Sequence, residues 1–392
     1  MYRVNRGGGR LQATLKIQEV EAQPSLSPYP TREEDFQGIA LALGAFVQLA
    51  SPRALLAEGD SLALLRSIPS HTISLILTDP PYHATKKSNI YGDTAFEEDQ
   101  HYLDWMAQYA VEWKRVLRPN GSLFCFCASE MAARLEVMFS EAFNVLSHVV
   151  WTKPNEPGFD GWKGKMKKEA LRQWYPHSER IIFAEPACEG NLHRSPFADF
   201  LRETRRKAGL STNEVAELIG AYGRVNHGGA VSNWEAGRNI PSREQYAKMS
   251  GALFATGKID PMPPYEDVVR PFMVDGSIEF TDVWTFPSVR PYKGKHPAEK
   301  PLAMLEHAIE ATTFPGDIVL DCFGGSGSTA HAALKHGRRS VSIEIEPQWV
   351  TAIAERIQEH EEQNLDGVIQ KGKLRVNPIH TAPQLALFVA EK

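Results

Sequence analysis

Short apolar runs alternate along the chain with segments whose apolar residues recur at helical spacing. The run Ile73–Thr78 is rich in Leu and Ile, which is typical of a strand buried on both faces of a parallel sheet. The segments that follow have helical spacing at 103–117 and 132–139 and strand-like runs at 122–127 and 145–151. This β-α-β-α-β order predicts parallel strands, and Arg-Pro-Asn-Gly at 118–121 predicts a turn before the second strand.

The same alternation returns after Pro301. Its predicted elements are a helix at 302–311, a strand at 317–323, a helix at 328–336, a strand at 340–344 and a helix from 348. Folded patterning starts near Leu55, and 197–253 has the pattern of a small helical unit. We therefore expect an α/β protein with one doubly wound, mostly parallel sheet and an inserted α-helical region.

A carboxylate and an aromatic ring follow the first predicted strand, in the sequence Asp79-Pro80-Pro81-Tyr82. The prolines end the strand because they have no N–H to donate to the sheet. Ligands of open α/β sheets bind beyond the carboxyl ends of strands, so this turn is a candidate ligand site. An acceptor, a rigid carbonyl and a flat ring suit a planar base with an exocyclic amine. A proline-rich ligand segment is the alternative, which the buried strand before it disfavours.

A glycine-rich turn, Gly324-Gly325-Ser326-Gly327, lies between the predicted strand at 317–323 and the next helix. Glycines let the backbone approach a ligand closely, and the helix N-terminus offers free N–H groups. Glu344 ends the next strand, where a carboxylate can accept both hydrogens of a ribose diol. The spacing also fits a nicotinamide dinucleotide fingerprint, and a structural tight turn is a third interpretation.

The two motifs together resemble those of the S-adenosylmethionine-dependent DNA amino-methyltransferases. Asp-Pro-Pro-Tyr at 79–82 precedes Phe-x-Gly-x-Gly at 323–327, and this order resembles the beta arrangement of that family. Further segments similar to the family are Glu-Gly-Asp at 58–60, Trp-Thr-Lys-Pro-Asn at 151–155 and His-Pro-Ala-Glu-Lys-Pro at 296–301. The resemblance implies a Rossmann-like methyltransferase fold, with S-adenosylmethionine as cofactor and double-stranded DNA as partner.

The resemblance also assigns roles to residues. Asp79 and the Pro80 carbonyl would each accept one hydrogen of the target amine, and Tyr82 would stack on a base flipped out of the duplex. Aspartate at the first motif position favours adenine N6 over cytosine N4 in the family. The implied catalytic residues are Asp79, Pro80, Pro81 and Tyr82. The implied cofactor-binding residues are Asp60, Asp79, His296, Lys300, Asp321, Phe323, Gly324, Gly325, Ser326, Gly327, Ser328 and Glu344.

The helical unit at 197–253 resembles the helix-turn-helix of phage-repressor-like regulators, whose second helix enters the major groove. Ser211 and Glu214 fit a capping box, although the turn at 220–229 is longer than usual. Trp234 has the spacing of a core residue, and a packing or dimerisation module is the alternative interpretation. The predicted DNA-binding residues are Lys153, Lys163, Lys165, Arg202, Arg205, Arg206, Asn226, His227, Ser232, Asn233 and Arg238.

The composition is that of a globular chain, with 392 residues, 42% hydrophobic and 23% charged. No apolar stretch reaches the roughly 18 residues that a membrane span needs. The net charge of −5 disfavours polyanion binding over the whole surface but permits a local basic site. Basic residues outnumber acidic ones between 151 and 175, where Trp162 and Trp174 also lie, although a solvated lysine-rich loop would show the same pattern.

The four cysteines are predicted to be free thiols and not metal ligands. Cys125 and Cys127 alternate along one predicted strand and share a face. Reduced thiols, and a basic start at 1–10 that leads into no apolar segment, predict a cytoplasmic protein. The beta arrangement further implies a homodimer.

The chain is thus expected to contain five regions. They are a partly flexible leader at 1–54, a catalytic half at 55–185, a target-recognition region at 186–275, a cofactor-binding half at 276–365 and an extension at 366–392. The predicted function is site-specific methylation of adenine N6 in double-stranded DNA, as in restriction-modification. Alternatives are a cytosine N4 methyltransferase, a DNA-binding regulator on an inactive methyltransferase scaffold, and a nicotinamide-dependent enzyme.

Overall fold

The computed structural model describes residues 30–83, 96–154, 172, 174, 177–187, 195–222, 229–273 and 280–368, with side chains to 362. Its strands are β1 (Val47–Ala50), β2 (Ala54–Glu58), β3 (Ile73–Thr78), β4 (Leu117–Cys127), β5 (Phe143–Thr152), β6 (Ser178–Pro186), β7 (Val283–Thr285), β8 (Ile318–Asp321) and β9 (Arg339–Glu344). Its helices are α1 (Arg32–Leu43), α2 (Ser61–Leu65), α3 (Asp99–Val116), α4 (Ala132–Phe139), α5 (Pro196–Ala208), α6 (Thr212–Leu218), α7 (Ala230–Glu235), α8 (Arg243–Phe254), α9 (Tyr265–Val268), α10 (Leu302–Thr312), α11 (Ser328–Lys335) and α12 (Pro347–Val368), with a short 3₁₀ turn at Gly44–Phe46.

The strands form one sheet in the order β1-β2-β9-β8-β3-β4-β6-β5-β7. The pairs β2–β9, β9–β8, β8–β3, β3–β4 and β5–β7 are parallel, whereas β1 and β6 run antiparallel to their neighbours. From β8 the chain passes through α11 to β9 on one side, and from β3 it passes through α3 to β4 on the other. The topological switch point therefore lies between β3 and β8, where doubly wound sheets bind ligands.

Both faces of the central strands are covered, as the apolar run at 73–78 predicts. Ile76 packs in the cluster formed with α1 to α4, whereas Leu75 and Leu77 pack with α10 and α11 on the opposite face. Every residue of β3 is buried. The prediction of a doubly wound, mostly parallel sheet with flanking helices is confirmed.

The N-terminal boundary differs from the sequence prediction. Thr31 and Glu34 form a capping box that starts α1, and Phe36, Ile39 and Leu43 bury one face of this helix against the sheet. β1 then pairs antiparallel with β2. The expectation that residues up to 54 form a leader is wrong for 32–54, because this segment supplies a core helix and an edge strand. Residues 1–29 lie outside the described residues.

The turn predicted at 118–121 is instead an irregular part of β4. Ile73 of β3 pairs with Leu117 of β4, but Leu75 of β3 pairs with Ser122 of β4. β4 therefore contains extra residues between these two pairs. Arg118 is fully buried and pairs with Asp35 of α1, while Asn120 donates to the Glu266 carbonyl at 2.8 Å. These buried polar contacts hold the segment inside the sheet.

The segment 197–253 is helical, as the sequence predicts, and it has a hydrophobic core of its own. Leu201, Val215, Val231 and Met249, one from each of α5 to α8, are fully buried in it. The capping box between Ser211 and Glu214 is present. Trp234 is 3% exposed, which confirms its predicted core position. The segment 223–228, with the predicted DNA contacts Asn226 and His227, lies outside the described residues.

Candidate active site at the switch point

The carboxyl ends of β3, β8 and β9 border a cavity of about 700 Å³. The four predicted catalytic residues line it, and so do all the predicted cofactor residues except Gly327. Lys153, which the sequence analysis assigns to DNA, also lines this cavity. The fold thus brings together two motifs far apart in the sequence because β3 and β8 are neighbours in the sheet.

The two carboxylate oxygens of Asp79 have different surroundings. Oδ2 accepts a hydrogen bond from Lys300 Nζ. Oδ1 is buried and has no hydrogen-bond partner among the described residues. Burial raises the pKa of Asp79, while the positive charge of Lys300 opposes this rise. Asp79 therefore has one oxygen paired with Lys300 and one buried oxygen without a hydrogen-bond partner among the described residues, at the end of β3.

Lys300, a predicted cofactor-binding residue, lines the cavity and pairs with Asp79. Its side chain is 8% exposed, and Nζ lies 3.6 Å from Glu179 Oε2. The Nζ atom also lies 5.2 Å from the ring centroid of Tyr82 and 5.1 Å from that of Phe126. Although burial favours the neutral amine, Asp79 and Glu179 raise the pKa of Lys300, which keeps it charged.

Glu179, at the start of β6, is a site residue that the sequence analysis misses. It accepts hydrogen bonds from the Tyr82 hydroxyl at 3.1 Å and from Lys153 Nζ at 2.5 Å. Burial opposes its ionisation, but Lys300 and Lys153 together lower the pKa of Glu179 to about 2. In the sequence it is only a polar residue preceding an apolar run, and it is close to Tyr82 only because β6 pairs with β4 beside β3.

Two glycines of the glycine-rich turn combine a positive φ with a close neighbour. Gly325 has φ +49, and a Cβ there would lie 3.2 Å from His296 Cε1. Gly327 has φ +74 directly before α11, and a Cβ there would lie 3.2 Å from Ile353 Cγ1. Both conformations are ones that other residues adopt at a cost. The turn can therefore keep its backbone against the cavity.

Glu344 is fixed by backbone N–H groups at the end of β9. Its Oε2 accepts from Gly325 N at 2.7 Å, and its Oε1 accepts from the N–H groups of Ile345 and Glu346 at 2.8 Å each. Burial raises the pKa of Glu344, and these hydrogen bonds oppose the rise. The carboxylate lines the cavity with its orientation set by the protein.

Asp321 connects the glycine-rich turn to β3. It accepts from Thr78 Oγ1 at 2.9 Å and from Phe323 N at 3.1 Å. Burial raises its pKa to about 7, against these hydrogen bonds. Asp321 thus aligns the ends of the two central strands, beside its predicted contact with the cofactor.

His296 and Asp60 border the cavity from opposite ends of the chain. The His296 ring packs edge-on against Trp349 with centroids 4.5 Å apart, and burial together with Lys300 lowers the pKa of His296 to about 4. Asp60 caps α2 by accepting from Ala63 N at 2.8 Å.

An aromatic wall that the sequence analysis also misses lines the cavity near Phe323. The ring centroid of Phe323 lies 5.9 Å from that of Trp105 and 5.3 Å from that of Tyr109. The Tyr109 hydroxyl is hydrogen-bonded to Ser61 Oγ at 2.8 Å. Trp105 and Tyr109 lie one helical turn apart on α3, a spacing that in sequence resembles ordinary core packing.

Apart from Lys153, which lines the cavity, the predicted DNA-binding residues separate into three groups. Arg205 is held by Glu235 through two hydrogen bonds, and Arg202 donates to the Glu235 carbonyl at 2.8 Å, so both stabilise the helical unit. Arg206 is exposed, and Arg238 donates to Asn233 Oδ1 at 3.0 Å near the partly buried Ser232. Lys163 and Lys165 lie outside the described residues, as do Asn226 and His227.

Cys125, Cys127 and Cys322 are free and buried, which confirms the prediction for these three, and Cys188 lies outside the described residues. Cys125 and Cys127 pack in the same cluster, as their alternation predicts. Within the described part of the chain, no group of three or more His, Cys, Asp or Glu side chains could hold a metal ion. None of the described helices is long and apolar enough to cross a membrane.

A family model described as DNA methylase, of the N6/N4 methyltransferase type, matches residues 73–355, and the chain therefore belongs to this family. Among characterised proteins it is similar to the DNA adenine methyltransferase YhdJ of Escherichia coli (strain K12), with 25% identity over 75% of this chain and 79% of that protein. It is also similar to the Type II methyltransferase M.PvuII of Proteus hauseri, with 24% identity over 76% of this chain and 82% of that protein. Among solved structures, the cytosine-N4-specific PvuII DNA methyltransferase has a TM-score of 0.47 and 20% identity over 80% of this chain and 93% of that chain.

Proposed function

We propose that this DNA methyltransferase transfers a methyl group to the N6 amine of adenine in double-stranded DNA, with S-adenosylmethionine as donor. The observation that carries the proposal is the buried Oδ1 of Asp79, which has no hydrogen-bond partner among the described residues and belongs to a side chain that lines the same cavity as the glycine-rich turn. An acceptor in this position can bind one hydrogen of an exocyclic amine, and a buried acceptor left without a partner is otherwise costly.

The residues of the cavity fit S-adenosylmethionine. Gly325 leaves space that a Cβ would fill, and the Glu344 carboxylate, held by three N–H groups, retains lone pairs for ribose hydroxyls. The donor supplies a methyl group on a sulfonium. Asp60, His296 and Phe323 border the remaining space. If the glycine-rich turn bound a nicotinamide dinucleotide instead, the motif at 79–82 in the same cavity would have no assigned role.

The protein's own contribution to the reaction is positioning. The amine of adenine is a weak nucleophile because its lone pair is delocalised into the ring. Asp79 Oδ1 accepts one amine hydrogen and the Pro80 carbonyl the other, which orients the nitrogen lone pair, and the positive charge of Lys300 favours the ionised form of Asp79. The base must leave the duplex to reach Asp79, and the ring of Tyr82 stacks on it at a gain of about 1–3 kcal/mol.

The choice of adenine over cytosine rests on residue identity. Aspartate occupies the first position of the 79–82 motif, which favours N6 transfer in the family that the motif resembles. YhdJ is named as an adenine enzyme and PvuII as cytosine-N4-specific, so relatives with both preferences exist.

The helical unit α5 to α8 is proposed to recognise DNA as a helix-turn-helix. It has a core separate from that of the sheet, and α7 presents Ser232 and Asn233 with Arg238 directly after it. Arg206 adds an exposed cation on α5. A homodimer and a cytoplasmic location remain predictions from the sequence.

The test is transfer of labelled methyl groups from S-adenosylmethionine to duplex DNA, followed by mass analysis of the nucleosides. We expect N6-methyladenine. Asp79→Ala is expected to lower the transfer rate by at least about 1000-fold because the amine loses its acceptor, while DNA affinity stays within about threefold. N4-methylcytosine as product would overturn the proposed specificity, and an Asp79→Ala enzyme that methylates well would overturn the assignment of the site.

A further inference from the structure

Glu179 contacts three side chains around Asp79, and none of its hydrogen bonds to the described residues goes to Asp79 itself. It accepts from the Tyr82 hydroxyl and from Lys153, and it lies 3.6 Å from Lys300. Its side chain is 22% exposed, so these contacts are partly buried. No motif assigns it a role.

We propose that Glu179 is a positioning residue for methyl transfer, which holds Lys300 on one oxygen of Asp79 and so leaves the other oxygen open for the target amine. This inference rests on the proposed function. Glu179 provides Lys300 with a second carboxylate partner, and it fixes the Tyr82 hydroxyl so that the ring keeps one orientation. Without it, Lys300 loses its second carboxylate partner and the Tyr82 hydroxyl loses this hydrogen bond.

The cluster is also balanced in charge. Asp79 and Glu179 carry two negative charges, and Lys153 and Lys300 carry two positive charges. Transfer of the methyl group breaks its bond to sulfur and forms a bond to nitrogen, so positive charge passes to the target amine until that nitrogen releases a proton to solvent. An uncompensated cation beside the amine would therefore raise the barrier. Removing the charge of Glu179 alone creates this excess.

The first test is Glu179→Gln, which keeps the shape of the side chain and removes its charge. We expect kcat to fall about ten- to hundredfold, with KM for S-adenosylmethionine and for DNA changed less than about threefold. The matched control is Glu355→Gln on the exposed side of α12, which should leave both constants unchanged. A Glu179→Gln enzyme with native kcat would overturn the proposal.

The second test is the pH profile, which structural support alone would not move. The charged and titratable groups facing Asp79 are Lys300, Glu179 of β6, Tyr82, Asp321 at the end of β8, and the thiols of Cys125 and Cys127 on β4. Glu179 raises the pKa of Asp79 and Lys300 lowers it. If ionised Asp79 is required, Glu179→Gln shifts the acid limb of kcat/KM to lower pH, and Lys300→Met shifts it to higher pH. Shifts of the same sign, or none, would overturn the proposal.

The third test restores the charge balance. Lys153→Met in the Glu179→Gln background removes the surplus cation, and we expect kcat to recover by about threefold or more over the single variant. No recovery would overturn the charge argument. The Lys300→Met profile and the double variant keep the proposal testable if the single variant is unstable. Failure of the native enzyme to methylate DNA would remove the proposed function itself, whereas native methylation with an indifferent Glu179→Gln removes only this inference.

Discussion

At the scale of single residues, the site depends on how the two oxygens of each buried carboxylate are hydrogen-bonded. Asp79 keeps one oxygen on Lys300 and one without a described partner, and Glu344 has each oxygen held by backbone N–H groups. Both arrangements cost free energy through burial, as the raised pKa values of the two carboxyls indicate. Buried carboxyls with a shifted pKa are typical of functional sites, where a ligand supplies the missing hydrogen-bond partners.

Gly325→Ala tests the cofactor side of the site. An alanine at φ +49 costs about 1–2 kcal/mol, and its Cβ would press on the His296 ring at 3.2 Å. The turn would move to relieve this strain, so a smaller fraction of molecules would have a turn conformation that can bind S-adenosylmethionine. We therefore expect the affinity for S-adenosylmethionine to fall about tenfold. Calorimetric titration measures it. Gly251→Ala on α8, where a Cβ meets open space, should leave the affinity unchanged, and equal affinities for both variants would contradict this account.

At the scale of elements, strands and long helices follow from the sequence more reliably than the contacts between them. The apolar runs predict β3, β8 and β9, and helical spacing predicts α4 with the bounds that the structure shows. The pattern misses α1, whose exposed Leu41 and central Gly38 obscure the buried row of Phe36, Ile39 and Leu43.

The residues of the site that belong to a motif are predicted from the sequence, whereas those outside the motifs are not. Residues inside a motif, such as Asp79 and Gly325, can be found from the sequence when the two motifs are taken together, although the glycine spacing alone also fits a nicotinamide fingerprint. Glu179 and Trp105 cannot, because each lies in an ordinary strand or helix and reaches the cavity only through the order of strands in the sheet.

The helix α7 is the element on which the DNA-recognition proposal depends. Asn233→Ala combined with Arg238→Ala is expected to weaken binding to methylatable duplex DNA by about tenfold or more, because it removes two proposed contacts to bases or phosphates. The affinity for S-adenosylmethionine should stay unchanged, since these residues lie on a unit with its own core. Fluorescence anisotropy with labelled duplexes measures the effect, and Glu244→Gln on exposed α8 is the control. Unchanged DNA affinity and an unchanged methylation pattern would favour the packing module.

At the scale of the whole molecule, a buried charge network joins the helical unit to the sheet. Asp267 of α9 accepts from Arg32 of α1 at 2.5 Å and lies 3.5 Å from Arg118 of β4. Arg32 also binds Asp317 before β8, and Arg118 binds Asp35 of α1. The exit of the inserted unit is thereby tied to both halves of the sheet and to the N-terminal helix.

Asp267→Asn tests whether this network holds the molecule together. The variant leaves two buried guanidinium groups with one anionic partner fewer, so we expect the free energy of unfolding to fall by about 2–4 kcal/mol. Denaturant unfolding measures this loss, and hydrogen exchange should show faster opening in α8 and α9 than in β3 and β8. Asp260→Asn, the same change at an exposed position nearby, should stay within about 0.5 kcal/mol of the native protein. Equal stability of the two variants would mean that the apolar contacts of Val268 and Val269 anchor the unit, and that the ion pairs add nothing to them.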